Sequence, residues 1–346
     1  MTKTTPAEIC RRLAAIYRHS FGGGVSAFAF ANEVTFHRYG EQPASLSGHP
    51  EETTLFEIGS ITKVFTALLL AKFSIDGRVA LDRPVGDILT EFSNLPVWVT
   101  PRSLATHTAG LPRVPRGLAR RGMTNPYVGF RGPDLIAWSR TYRPRRPPRP
   151  GQIAYSNLGF GLLGYLLGKL HGCGFENALE REVLRPLGLQ DTKITLEPDD
   201  RLAQPHSFWG HPVPAWEFDA LAGCGALRST PKDMLGFGRA VAAASRQPGP
   251  LAEAIRLSLQ IQFPSGRDAV PSQCFGWLAT VQRETKAIIY GHDGGTHGSS
   301  ALLFVCQEHE FTLLLLANTP TTLVTMWRQM RADFNGLLLD AVQLAR

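Results

Sequence analysis

A chain of 346 residues with 43% hydrophobic side chains can bury a large core, and no stretch approaches the roughly 18 apolar residues that a membrane-crossing helix needs. The net charge of +7 invites a nucleic-acid reading, but ten arginines and one acid, Asp134, fall between Arg113 and Arg149; subtracting that local +9 leaves −2 for the rest, so the basicity belongs to one segment. The five cysteines (Cys10, Cys173, Cys224, Cys274, Cys306) show neither C-x-x-C nor paired spacing, which argues against zinc and for separate reduced thiols.

The beginning, Met1 to Glu8, lacks the apolar stretch of a secretory signal, so a cytoplasmic location is expected. Ala7–Tyr17 then places Ile9, Leu13 and Ile16 at helical spacing. Val25–Ala31 and Glu33–Tyr39, with Asn32 near the turn, predict a β-hairpin. Phe65–Phe73 has no strand alternation and predicts a buried helix that Asp76-Gly77 stops. Pro144–Pro150 (Pro-Arg-Arg-Pro-Pro-Arg-Pro) is unsuited to a helix interior and predicts an extended, solvated loop. The Pro150-Gly151 turn leads to an apolar helix over Leu158–Leu170. Strands return over Gly276–Val281, Ala287–Tyr290, Ala301–Cys306 and Phe311–Ala317, and a last helix is expected over about Leu323–Leu344. Strands at both ends around a helical middle predict an α+β fold, one antiparallel sheet built from both termini and flanked by helices. The expected division is a single unit over 1–346, with its sheet-bearing part at about 1–75 and 270–346 and a mainly helical lobe inserted at about 76–269.

Ser60-Ile61-Thr62-Lys63 is a Ser-x-x-Lys pattern. If Ser60 opens the following helix, Lys63 shares its face. A serine hydroxyl is a weak nucleophile until a neighbour takes its proton, and a buried lysine is one group that can. The chain contains a second copy, Ser229-Thr230-Pro231-Lys232, which serves as a control: hydroxyl, Pro and a following acid describe a helix start, with Lys232 turned to solvent. Ser60 differs in its apolar surroundings and in its company. Tyr155-Ser156-Asn157 precedes the apolar helix, and His292-Asp293-Gly294-Gly295-Thr296 lies between two predicted strands.

In this order the three motifs resemble S-x-x-K, Y-x-N and K/H-x-G of the penicillin-recognising serine enzymes, and specifically class C β-lactamases with their related esterases, D-aminopeptidases and transacylases. Leu104–Pro112 (LATHTAGLP), Pro150–Gly164 (PGQIAYSNLGFGLLG), Val183–Thr192 (VLRPLGLQDT) and Ala222–Met234 extend the likeness over roughly Ser20 to Ala317. The resemblance implies a β-lactamase/transpeptidase-like fold and no cofactor. It implies Ser60 as nucleophile, with Lys63 and Tyr155 as its proton partners and Tyr155 serving the leaving group. It implies that Asn157 holds the substrate amide or Lys63, that His292 orients Tyr155 or the substrate, and that the Ser60 and Gly295 amides, beside Gly294, bind the oxyanion.

Histidine in place of the third-motif lysine, followed by Asp293, removes the cation that would bind a β-lactam carboxylate, so ester turnover is expected to exceed β-lactam cleavage. His107 is taken as a support of the nucleophile helix. His292 and His297, five apart on a strand, face opposite ways, and no metal is expected. The leading function is hydrolysis of a small-molecule ester or amide through an acyl-serine. The alternatives are acyl transfer to an amine or alcohol and a non-catalytic sensor on the same fold. The Arg113–Arg149 segment is either a solvated face or a collector of an anionic substrate or an acyl carrier protein. Its few aromatics, Tyr127, Phe130, Trp138 and Tyr142, do not make a nucleic-acid platform.

Overall fold

The computed structural model describes residues 4–19, 21–40, 51–118, 124–144, 146–267, 270–321 and 334–346. Helix α1 (Pro6–Tyr17) begins at Thr5, whose hydroxyl accepts from the Glu8 amide at 3.2 Å, and it buries Ile9, Leu13 and Ile16 as their spacing predicts. Strands β1 (Gly23–Phe30) and β2 (Glu33–Gly40) pair antiparallel through a two-residue turn at Ala31-Asn32, where Ala31 takes φ +49°. After the short β3 (Phe56–Glu57), the chain enters α2 (Thr62–Ile75), then α3 (Val85–Ile88), α4 (Pro101–Ala105), α5 (Gly132–Thr141), α6 (Asn157–His171) and α7 (Phe175–Leu179). A two-residue β4 (Arg228–Ser229) pairs with β3 and leads into α8 (Pro231–Ala243) and α9 (Pro250–Leu259). The chain closes with β5 (Ser272–Gln273), β6 (Leu278–Val281), β7 (Ile288–Gly295), β8 (Ser300–Cys306), β9 (Phe311–Ala317) and α10 (Phe334–Leu344).

Seven strands form one sheet in the order β2-β1-β9-β8-β7-β6-β5, and every neighbouring pair is antiparallel. The sheet therefore joins both ends of the chain: Val25 of β1 lies opposite Leu316 of β9. β9 is buried along its whole length because both its faces are covered. Leu313 and Leu315 join the layer under α1 and α10, while Leu314 and Leu316 join the larger core that holds α2, α8 and α9. α2 is apolar all round and lies inside that core, where Phe65 stacks on Phe237 of α8 at 4.2 Å between ring centres.

Two local expectations need correction. Ser60 does not open α2; it sits in a 3-10 turn, Gly59–Ile61, immediately before it. The His292–Gly295 motif does not lie between strands but forms the second half of β7. β6 pairs only with Ile288–Gly291, so that half of β7 presents its β6-side edge beyond the end of β6. The final helix is described only over α10, and residues 323–333 of the expected span lie outside the described residues.

Candidate active site

Ser60 and Lys63 meet because a 3-10 turn running into an α-helix keeps residues three apart on one side. Lys63 Nζ donates to Ser60 Oγ at 2.9 Å and to the Cys224 carbonyl at 2.6 Å. The lysine is fully buried, and among the described residues no carboxylate pairs with it. Its second anchor is held from two sides. Thr66 of α2 donates to the Gly223 carbonyl at 2.8 Å, and α6 presses so close that a side chain on Gly164 would meet the Gly223 Cα at 2.8 Å. Burial pushes the Cys224 thiol up to about 11, so it stays protonated beside the amine.

Tyr155, 95 residues further along the chain, reaches the same oxygen, its hydroxyl donating to Ser60 Oγ at 2.7 Å. The Tyr-Ser-Asn motif has a local reason. Ser156 is the N-cap of α6, accepting from the Gly159 amide at 2.9 Å and donating to the Pro112 carbonyl at 2.7 Å. The cap leaves Tyr155 just outside the helix and Asn157 in its first turn. The Arg113 carbonyl accepts from the Asn157 and Leu158 amides at 2.9 and 3.1 Å, fixing the helix start to the Pro112-Arg113 segment.

His107 belongs to this second element rather than to the nucleophile helix. Its Nδ1 accepts from the Ser156 amide at 3.1 Å, its carbonyl accepts from Ala154, and its ring lies 4.5 Å from that of Tyr155. Burial, reinforced by the charges of Lys63, His292 and Arg113, lowers its imidazole well below the usual range, so it is neutral at pH 7. The sequence placed it one element away because the contact partner lies 49 residues along the chain.

Asn157 does not hold Lys63: its Nδ2 donates to the Tyr127 hydroxyl at 2.7 Å, and its buried Oδ1 has no protein partner. Tyr127 stacks on Phe218 at 4.6 Å and meets Trp216 edge-on at 5.1 Å, an aromatic wall that the motifs alone did not reveal. His292 is buried, and its Nδ1 bonds the Asp293 carbonyl at 2.5 Å; no hydrogen bond joins it to Tyr155. Burial lowers its pKa, the nearby Lys63 adds to this, and the Asp293 carboxylate opposes it. Asp293, at the alternate position of β7, is exposed. His297 lies beyond the strand's end, and among the described residues no three His, Cys, Asp or Glu side chains cluster as a metal site.

Gly294 and Gly295 are dictated by close approach. A Cβ on Gly294 would sit 1.9 Å from the Ile58 carbonyl and 3.3 Å from the Ser60 nitrogen, and Gly59 packs against the Gly295 amide. Only bare backbone lets β7 lie against the nucleophile turn.

Glu57 went unnoticed in the sequence and ties the walls together. Its buried carboxylate accepts from the Trp216 amide at 2.6 Å, from Thr296 Oγ1 at 2.8 Å and from Ser299 Oγ at 3.1 Å. Arg228 stands opposite it across β3–β4 and donates to the Trp216 carbonyl at 2.5 Å. Burial raises the Glu57 carboxyl, and these donors with Arg228 partly offset that. Its reach to both the Trp216 loop and the end of β7 could have been found only from coordinates.

With this geometry in place, likeness to known proteins becomes informative. The sequence model of the family described as Beta-lactamase matches residues 11–333, and the chain belongs to that family of β-lactamase-related serine hydrolases. The D-alanyl-D-alanine-carboxypeptidase/endopeptidase AmpH of Escherichia coli (strain K12) is 27% identical over 341 residues, covering 92% of this chain and 86% of that protein. Among solved structures, a β-lactamase from Sulfitobacter sp. EE-36 superposes with a TM-score of 0.80 at 21% identity, covering 99% of this chain and 100% of the other. A class C β-lactamase from Rhodobacter sphaeroides gives 0.79 at 21% identity, with 96% and 97% coverage. The two structures establish the α+β fold expected from the strand pattern.

Proposed function

We propose that this protein hydrolyses a small-molecule ester or amide through an acyl intermediate on Ser60. The observation that carries the reading is the convergence on one oxygen: Lys63 Nζ at 2.9 Å and Tyr155 Oη at 2.7 Å from Ser60 Oγ. Two groups able to exchange a proton with that hydroxyl are what an alcohol nucleophile needs. In this reading Ser60 Oγ attacks the carbonyl while its proton passes to the Lys63–Tyr155 pair. The oxyanion develops between the amides of Ser60 and Gly295, whose backbones are in van der Waals reach through Gly59 and Gly294. Tyr155 protonates the leaving group, and the same pair then activates the water that releases the acid. Asn157 Oδ1 is buried and has no protein donor.

A neutral, buried His292 supplies no cation for the carboxylate of a β-lactam, which supports faster turnover of esters than of penicillins. Intact-mass spectrometry after mixing with a fluorophosphonate, a nitrophenyl ester panel, a peptide ending in D-alanyl-D-alanine and a penicillin tests both points. The expected result is a fluorophosphonate adduct that disappears in Ser60→Ala, with ester turnover exceeding penicillin cleavage. An adduct that survives Ser60→Ala removes the mechanism, and fast penicillin hydrolysis removes the specificity argument. Amide products formed on adding an amine would move the reading to acyl transfer.

A further inference from the structure

Arg113 stands at the candidate site with its charge unspent. Its backbone is fixed by the two amides that open α6, and its guanidinium carbon lies 5.0 Å from the centre of the Tyr155 ring. The side chain is exposed, and among the described residues no carboxylate and no hydrogen-bond acceptor engages it. Its field is nonetheless felt at His107, Tyr127 and Cys224, which places it on the Asn157 side of Ser60 rather than at β7. Arg116, Arg131, Arg140, Arg143, Arg146 and Arg149 likewise form no ion pair among the described residues, and Asp134 is occupied by the Arg131 amide at 2.9 Å. The loop carrying Arg143, Arg146 and Arg149 packs back on this corner, with Tyr142 Oη donating to the Gly110 carbonyl at 3.0 Å and Pro148 against Gly110.

A planar five-donor cation resting on an aromatic ring, with its outer donors free, matches a carboxylate. On the same side of the nucleophile, the buried Oδ1 of Asn157 has no protein partner. We infer that Arg113 recognises a carboxylate on the acyl portion of the substrate, so that the favoured donors are esters or amides of ω-carboxyacyl groups. The inference rests on the acyl-serine reading of Ser60 and adds the substrate's charge to it. The neighbouring arginines would raise the local concentration of such anions, an effect that salt weakens.

The test compares mono-4-nitrophenyl adipate with 4-nitrophenyl hexanoate, which match in chain length and differ in the terminal carboxylate. The readout is the ratio of their kcat/KM values in the wild-type chain, Arg113→Gln and Arg113→Lys. A charged hydrogen bond predicts that Arg113→Gln lowers the adipate-to-hexanoate ratio by roughly ten- to a hundred-fold, with partial recovery in Arg113→Lys. The ratio in the wild-type chain should also fall as salt rises, and Arg113→Gln should flatten that slope. An unchanged ratio in Arg113→Gln overturns the inference. So does a ratio lost only when Arg140, Arg143, Arg146 and Arg149 are neutralised together, because that assigns the charge preference to the surrounding surface. Failure of the acyl-serine reading is distinct: neither ester would then depend on Ser60. In that event calorimetric titration of N-benzyladipamic acid against N-benzylhexanamide decides the binding question alone, and equal affinities in the wild-type chain reject the carboxylate site.

Discussion

The chain writes Ser-x-x-Lys twice, and the two copies have opposite fates. At Ser229–Lys232 the polar groups are consumed by structure: Thr230 Oγ1 caps α8 by accepting from the Asp233 amide at 3.1 Å, Ser229 Oγ pairs with Thr192 Oγ1 at 2.8 Å, and Lys232 is exposed. At Ser60–Lys63 no side chain caps the helix, since the N-cap position falls on Ile61. The serine hydroxyl is therefore left for Lys63 and Tyr155, and the lysine is enclosed. A helix start can spend a hydroxyl on its own unsatisfied amides or leave it free, and the residue after the serine helps decide which. Pro231 at the first helical position fixes the cap next door; Ile61 offers none.

Matched substitutions break this comparison most sharply. Lys63→Met should reduce ester turnover by about two to four orders of magnitude, as expected for loss of a proton-transfer partner, while Lys232→Met leaves kcat/KM within about twofold. Equal effects at the two positions would show that the enclosed copy has no special chemistry. Acid sharpens the contrast less strongly. His107 and His292 both have folded-state pKa values below the free imidazole value of 6.5. The stability they contribute by staying neutral is thus present above about pH 6.5 and is lost as pH falls through the folded-state values, because the unfolded chain binds those protons more readily. Thermal unfolding should show a midpoint that drops below pH 6.5, and His107→Asn, which keeps an acceptor for the Ser156 amide, should make the drop shallower. A midpoint insensitive to pH over that range rejects the assignment. The smallest effect belongs to the other copy: Thr230→Ala should cost about 1 kcal/mol in denaturant unfolding and leave turnover per folded molecule unchanged.

Much of the candidate site was legible because its side chains sit where local rules operate. Ser60 and Lys63 are three residues apart, so helical geometry alone brings them together. Tyr155 and Asn157 flank a cap residue ahead of an apolar helix, a pattern visible without coordinates. The strand pattern likewise anticipated β1, β2, β8 and β9 closely, since short apolar or β-branched runs bounded by turn residues are local properties. What stayed hidden acts across long separations. Glu57 looked like one more residue before the motif until Trp216, Thr296 and Ser299, each more than 150 positions away, were found to donate to it. His107 and Arg113 were placed in the wrong role or in no specific one for the same reason: the contacts that define them are with Tyr155 and its flanking residues.

The amino-acid order by itself determined which groups could do chemistry, where helices start, and that both ends supply strands, because hydrophobic period, caps and turns depend on near neighbours. Only the tertiary structure decided that a phenol, an amine and a hydroxyl share one point, that Asn157 Oδ1 is buried without a protein partner, and that Arg113 lies against the Tyr155 ring with no ion pair among the described residues. Those outcomes depend on how α6, β7 and the Trp216 loop close on the nucleophile turn, and backbone approach at Gly164 and Gly294 sets that closure to within the width of a single side chain.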